Sequence, residues 1–92
     1  MGLMDDVQQR SAVWRMRKFP DSTALGIVAK LLEESGEVAR AVIGDHEHRN
    51  GRGDAVQEAA QCVIVLASLV GCHYPDRDLF AEVASEMERI GA

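Results

Sequence analysis

Glu33, Glu34 and Glu37 stand in Leu31-Leu-Glu-Glu-Ser-Gly-Glu-Val-Ala39, and Glu58 and Gln61 stand in Glu58-Ala-Ala-Gln-Cys-Val-Ile-Val-Leu66. Side chains three apart on a helix have Cβ atoms about 5–6 Å apart and can reach toward one point. Two helices carrying such pairs, packed antiparallel, can surround a hard cation with oxygens. The pattern predicts a divalent-metal site with Glu34, Glu37 and Glu58 as charged ligands and Gln61 as a weaker one. It makes phosphate chemistry the leading reading.

The surroundings of these acids carry the argument further than their number. Ala24, Ile27, Leu31, Glu34, Val38 and Ala41 form one stripe at steps of three and four, in which Glu34 alone is charged. A second stripe, Leu25, Val28, Leu32, Ser35, Ala39 and Val42, makes this helix apolar over more than a narrow seam. Glu34 is therefore expected to face inward, where an ionised carboxylate is costly unless it is paired or binds a metal. Glu33, about 100° away around the helix, is a candidate either for a second-metal ligand or for the base that orients water.

Plainer readings exist for each residue. Glu33, Glu34 and Glu37 could form a solvated face paired with Lys30 and Arg40 at helical spacing. Glu58 near a helix start is favoured by the macrodipole alone. A lone tryptophan, Trp14, on an amphipathic helix fits a core or an interface. His46 and His48 form an HxH in a polar loop without further ligands nearby, which reads as solvated rather than as zinc-binding. No ExxH pair occurs on a helix, which argues against a ferritin-like di-iron site.

The elements that must position the acids are four helices. The first runs from about Met4 to Phe19, with Val7, Ala12, Val13, Met16 and Phe19 among polar residues, and Pro20 stops it. Asp21 or Ser22 caps the second, about Thr23 to Ile43, which Gly44 ends. A polar loop, Asp45 to Gly53, leads to the third helix, about Asp54 to Val70, with Asp54 as candidate N-cap. Gly71 to Pro75 forms a turn, and Asp76 to Ile90 reads as the fourth helix, with Leu79, Phe80, Val83, Met87 and Ile90 on one side. No repeat or linker divides the chain, so residues 1–92 form a single all-α domain.

Composition narrows the function classes. The chain is 47% apolar with 4% aromatic residues, which favours helices packed through aliphatic side chains. A net charge of −5 and the lack of a basic stripe exclude a nucleic-acid polymer as partner. Cys62 and Cys72, ten apart and outside any CxxC framework, read as reduced thiols of a cytoplasmic protein. The longest uninterrupted apolar run, Cys62 to Ala67, is far short of the ~20 residues that span a bilayer, so no membrane association is expected. A 92-residue chain buries only about 60–65% of its unfolded surface. With two apolar stripes on the second helix, it is expected to form a homodimer or homotetramer.

The two acidic segments together resemble the MazG-like, all-α nucleoside triphosphate pyrophosphohydrolases, whose motif is EExxE followed by ExxD. Glu33, Glu34 and Glu37 complete the first half, twenty residues intervene, and Glu58 opens the second. The resemblance covers roughly residues 10 to 72. It implies a four-helix MazG-like bundle assembled into a homo-oligomer. It also implies Mg2+-dependent hydrolysis, with Mn2+ as substitute, of a nucleoside triphosphate between the α and β phosphorus atoms. The products would be the monophosphate and pyrophosphate.

The resemblance further implies that an aromatic ahead of the EExxE helix contacts the base, which here is Trp14. Two departures stand out. Gln61 occupies the place of the family's aspartate and brings an oxygen without a charge, which weakens metal binding; Asp54, one turn before Glu58, is the candidate to compensate. A K-M-x-x-N-like stretch in the last helix is replaced by Glu86-Met-Glu-Arg-Ile90, leaving Lys30 and Arg89 as candidates for phosphate contact. A chain lacking these residues could instead keep the fold as an oligomer that binds nucleotide or a protein partner without efficient catalysis.

Overall fold

The computed structural model describes residues 3–46 and 54–92, folded as four helices in the order α1 (Leu3–Lys18), α2 (Ala24–His46), α3 (Ala55–His73) and α4 (Leu79–Ile90). No strand occurs among the described residues. The all-α expectation holds, and several boundaries move for identifiable reasons. The turn after Pro20 closes through the Ser22 amide, which donates to the Phe19 carbonyl at 3.0 Å. That shifts the α2 cap from Asp21 or Ser22 to Thr23, whose Oγ1 accepts from the Gly26 amide at 3.0 Å. Gly44 does not end α2, which continues to His46 with Gly44 buried.

Likewise Gly71 belongs to α3 and not to the turn after it. A Cβ at position 71 would lie 2.6 Å from the Ala12 Cβ and 3.1 Å from the Gln8 carbonyl oxygen. The missing side chain is thus what lets α1 and α3 approach so closely. Asp54 caps α3, its Oδ1 accepting from the Val56 and Gln57 amides at 2.9 and 3.3 Å. Helix α4 begins three residues later than Asp76 because the Arg77 amide donates to the Tyr74 carbonyl and prolongs the turn. Asp78 then caps α4 through the Phe80 and Ala81 amides. Gly91, at φ 80°, terminates it in the left-handed conformation that glycine adopts without strain.

Helix α3 is the organising element. Both α1 and α2 pack along it to a similar extent, without substantial contact with each other, and the principal contact of α4 is a small one with α1. The α1–α3 pair is antiparallel: Ala12 meets Gly71 and Cys72, while Arg15 meets Ser68. The side chain of Gln8 fastens the α3–α4 turn. Its Nε2 donates to the Arg77 carbonyl at 2.9 Å, and its Oε1 accepts from the Leu79 amide at 2.8 Å.

The first stripe of α2 faces inward, with Ile27, Glu34 and Ala41 buried, while Leu25, Val28, Leu32 and Val42 of the second stripe are all exposed. Helix α1 departs from expectation. It buries Ser11, Ala12 and Arg15, and leaves Val13, Trp14, Met16 and Phe19 exposed. Its apolar residues are spread around the helix, so no stripe marked the inward face. Helix α4 buries none of its residues, and Val83, Met87 and Ile90 stay open.

The radius of gyration, 14.8 Å, exceeds the ~12 Å of a compact chain of this length. Accessible area is 6772 Å², against roughly 5300 Å² for a folded monomer of this mass. Helix α3, nineteen residues with Glu58 as its one full charge, is long and apolar enough by length and composition to cross a membrane. The short run Cys62 to Ala67 did not signal this, because isolated small polar residues interrupt the run without changing the character of the helix.

Candidate functional site

The acidic site is built on α2 and α3. Position 34 falls on the α2 face turned toward α3, between Ile27 and Ala41 one heptad to either side, and Glu34 is only 8% exposed. Its two oxygens differ. Oε1 lies 3.3 Å from Lys30 Nζ, whereas Oε2 is buried with no hydrogen-bond partner among the described residues. Lys30 also lies 3.6 Å from Glu33. Its pKa is raised, first by the hydrogen bond to Glu34 and then by the charge of Glu33. Glu33 itself is exposed, as its position around the helix requires.

Cys62 ties the two helices together electrostatically. Partial burial, and then the negative charges of Glu34 and Glu58, push its thiol above the usual cysteine value. Both acids bear on one sulfur, so the structure brings the central residues of the two motifs to the same part of the α2–α3 contact. Sequence reasoning passed over Cys62. Its place one residue after Gln61, inside the second motif, was the available signal.

The remaining candidates are arranged less favourably. Glu37 is half-buried and pairs with Arg40. Glu58, half-buried, sits in the first turn of α3, where the macrodipole stabilises an acid whatever else it does. Gln61 is exposed. Asp54 caps α3, its Oδ1 engaged by the Val56 and Gln57 amides. Arg89 pairs with Glu86 on the exposed α4. Among the described residues, no group of three or more His, Cys, Asp or Glu side chains is gathered closely enough to hold a metal. The pairing of the acids with Lys30 and Arg40 is the one a solvated face would show, but the burial of Glu34 is not.

Trp14 is 43% exposed and packs edge-to-face on Phe19, with ring centroids 5.9 Å apart. Arg15 lies against both rings, its guanidinium carbon 5.4 Å from the Trp14 ring centre and 5.3 Å from that of Phe19. The rings hold an arginine that sequence reasoning missed. The side chain of His46 and all of His48 lie outside the described residues, and His73 ends α3 exposed. Cys62 and Cys72 are both free thiols. No protein-family model, curated protein or solved structure matches this chain.

Proposed function

We propose that the protein is a MazG-like, divalent-metal-dependent nucleoside triphosphate pyrophosphohydrolase whose site lies at the α2–α3 contact. One observation carries the reading: Glu34 Oε2 is buried and unpartnered among the described residues, and the charges of Glu34 and of Glu58 on the facing helix both act on the Cys62 thiol. An orphaned carboxylate oxygen in an apolar contact costs free energy, and a hard cation is the partner that oxygen donors of this kind accept. On this reading the ion is Mg2+ or Mn2+, and the acids, which are not gathered around one point among the described residues, would close on it. Glu34 and Glu58 would hold it, with Glu37 one helical turn on and Gln61 contributing a carbonyl oxygen. Bound there, the ion supplies charge neutralisation across the phosphate oxygens and a lowered pKa for water.

The chain's own residues supply the rest. Lys30 neutralises part of the acid cluster and fixes Glu34 through Oε1, leaving Oε2 for the site. Glu33, exposed beside Lys30, would accept a proton from water, and the carbonyl of Gln61 would orient substrate or ion without adding charge. Trp14 offers an accessible aromatic face for a base, at the cost of its contact with Arg15.

A homo-oligomer belongs to this reading. The accessible area beyond that of a compact monomer is about 1500 Å², enough for a standard interface of about 800 Å² per partner. The outward stripe Leu25, Val28, Leu32 and Val42 supplies an apolar face of the right kind. Incubation of the full chain with a nucleotide panel and Mg2+ or Mn2+ should release pyrophosphate, and Glu37→Gln and Glu58→Gln should suppress that release while the helices persist by circular dichroism. Full activity in both variants would overturn the assignment.

The second reading is a nucleotide- or protein-binding oligomer without turnover. It is favoured by the exposed neutral Gln61 and by the engagement of Glu37 with Arg40. Nucleotide binding by equilibrium dialysis with no pyrophosphate released, and none gained in Gln61→Asp, would select it.

A further inference from the structure

Helix α4 has the pattern of a packing helix and almost nothing to pack on. Leu79, Phe80, Val83, Met87 and Ile90 lie along one side, and of the four helices its apolar residues are the most strictly one-sided. Yet it buries none of its residues, and Val83, Met87 and Ile90 are between 44% and 64% exposed. Its principal contact is a small one with α1. A helix of 12 residues is marginal in water by itself and draws its stability from packing of its apolar face.

The outward face of α1 has the complementary character. Val13 and Met16 are exposed there, with Arg10 and Arg17 beside them at helical spacing and Trp14 at the edge. Exposed aromatic, methionine and arginine side chains are the composition that distinguishes an interface from the rest of a surface. From Arg10 to Phe19 the chain carries Arg10, Arg15, Arg17 and Lys18 and no acidic residue. From Asp76 to Ile90 it carries Asp76, Asp78, Glu82, Glu86 and Glu88 against Arg77 and Arg89. Each surface is apolar with a charged border, and the two borders are opposite in sign. The acidic border also turns α4 away from anionic lipid, which interfacial helices meet with Lys and Arg.

We propose that a second copy of this chain covers both surfaces, α4 of each copy docking on the outward face of α1 of the other about a two-fold axis. Within one copy α4 leaves from beside Gln8, in the first half of α1, and Val13 and Met16 in the second half stay open. Reciprocal docking closes on itself, whereas one-way docking would grow a filament. The opposite charges decide which helix meets which. The accessible area of 6772 Å² exceeds that of a folded monomer of this mass by about 1500 Å², and a standard interface takes about 800 Å² from each partner. The pairing uses a different surface from the α2 stripe and does not rest on the proposed hydrolysis.

Sedimentation equilibrium of the full chain at micromolar to submillimolar concentration should give at least twice the 10.1 kDa of one copy, with association weakening as salt rises. Arg10→Glu/Arg17→Glu on α1 and Glu82→Arg/Glu86→Arg on α4, all at exposed positions, should each weaken association by about tenfold or more. Mixed in equal amounts, the two variants should associate again to within a few-fold of wild type, because each α4 then meets an α1 of opposite charge. In a mixture of isotope-labelled and unlabelled wild-type chains, filtered NOEs should join Val13 and Met16 of one copy to Val83 and Met87 of the other, a readout that needs no variant to fold. A chain that stays at 10.1 kDa throughout would overturn the proposal and leave α4 to a different protein or to lipid. Unchanged association in the folded charge variants, or no recovery on mixing them, would overturn it too. So would intermolecular NOEs confined to Leu25, Leu32 and Val42, which would make the α2 stripe the sole interface.

Discussion

Helix α3 is flanked by two buried charges of opposite sign, and their surroundings differ in kind. Glu34, on α2, has a lysine one turn away on its own helix and a second carboxylate across the contact. Arg15, on α1, has two aromatic rings and a serine hydroxyl. The acid is half-compensated from within its own helix; the arginine has its rings from neighbours in sequence and its hydrogen-bond partner, Ser68, from the facing helix. A buried charge retained without full compensation costs stability, and among the described residues only Glu34 keeps a buried oxygen without a partner.

The sharpest way to break this comparison is at Glu34. Glu34→Leu removes an orphaned carboxylate from an apolar row while leaving Lys30 free to pair with the exposed Glu33. On the proposed hydrolysis, pyrophosphate release should fall on the order of 100-fold, a loss of roughly 2.7 kcal/mol of transition-state stabilisation. The metal-free protein should become more stable by about 1–3 kcal/mol in urea denaturation. A variant that loses stability instead would show Glu34 to be a structural member of the α2–α3 contact.

At the Arg15 end, the close approach of the helices can be tested by Gly71→Ala. The added methyl would meet the Ala12 Cβ at 2.6 Å and the Gln8 carbonyl oxygen at 3.1 Å. Since that contact is small atom against backbone, the helices must separate, and a loss of about 2–3 kcal/mol is expected from thermal or urea unfolding. The proposed nucleotide hydrolysis, if the wild-type chain performs it, should survive in the fraction that remains folded.

A smaller effect separates the three-helix layer from α4. Gln8→Ala deletes both hydrogen bonds to the α3–α4 turn, worth about 1–2 kcal/mol together. Amide exchange should accelerate from Arg77 through α4 while α2 and α3 keep their protection. Uniform acceleration through all four helices would show α4 to be integral to the fold.

The smallest expected change is at Cys62, whose thiol is pushed up by burial and by Glu34 and Glu58. The folded protein binds this proton more tightly than the unfolded chain. The resulting stability is present below the ordinary thiol pKa and is lost as pH rises through the raised one. Alkylation of Cys62 should therefore follow a profile displaced to higher pH than that of a free cysteine. Glu58→Gln removes one of the acids and should shift the profile back, giving a few-fold faster reaction near pH 8. An unshifted profile would place Glu58 away from the sulfur.

The chain's own pattern determined the helices and the inward acid. Periodic apolar residues mark α2 and α3, Asp54 before Ala55 marks a cap, and a lone glutamate between Ile27 and Ala41 has nowhere to point but inward. These are local facts, set by 3.6-residue periodicity and by hydrogen bonds within one turn. The helical Gly71 and the burial of Arg15 are not local. Gly71 ends no helix because Ala12, fifty-nine positions earlier, needs the space of its missing side chain. Arg15 faces inward where Ser68 of α3 lies opposite, in a helix whose apolar residues mark no face of their own. Where neighbours in sequence supply the forces, the residues can be read in order; where the forces come from another helix, only the tertiary structure chooses the face.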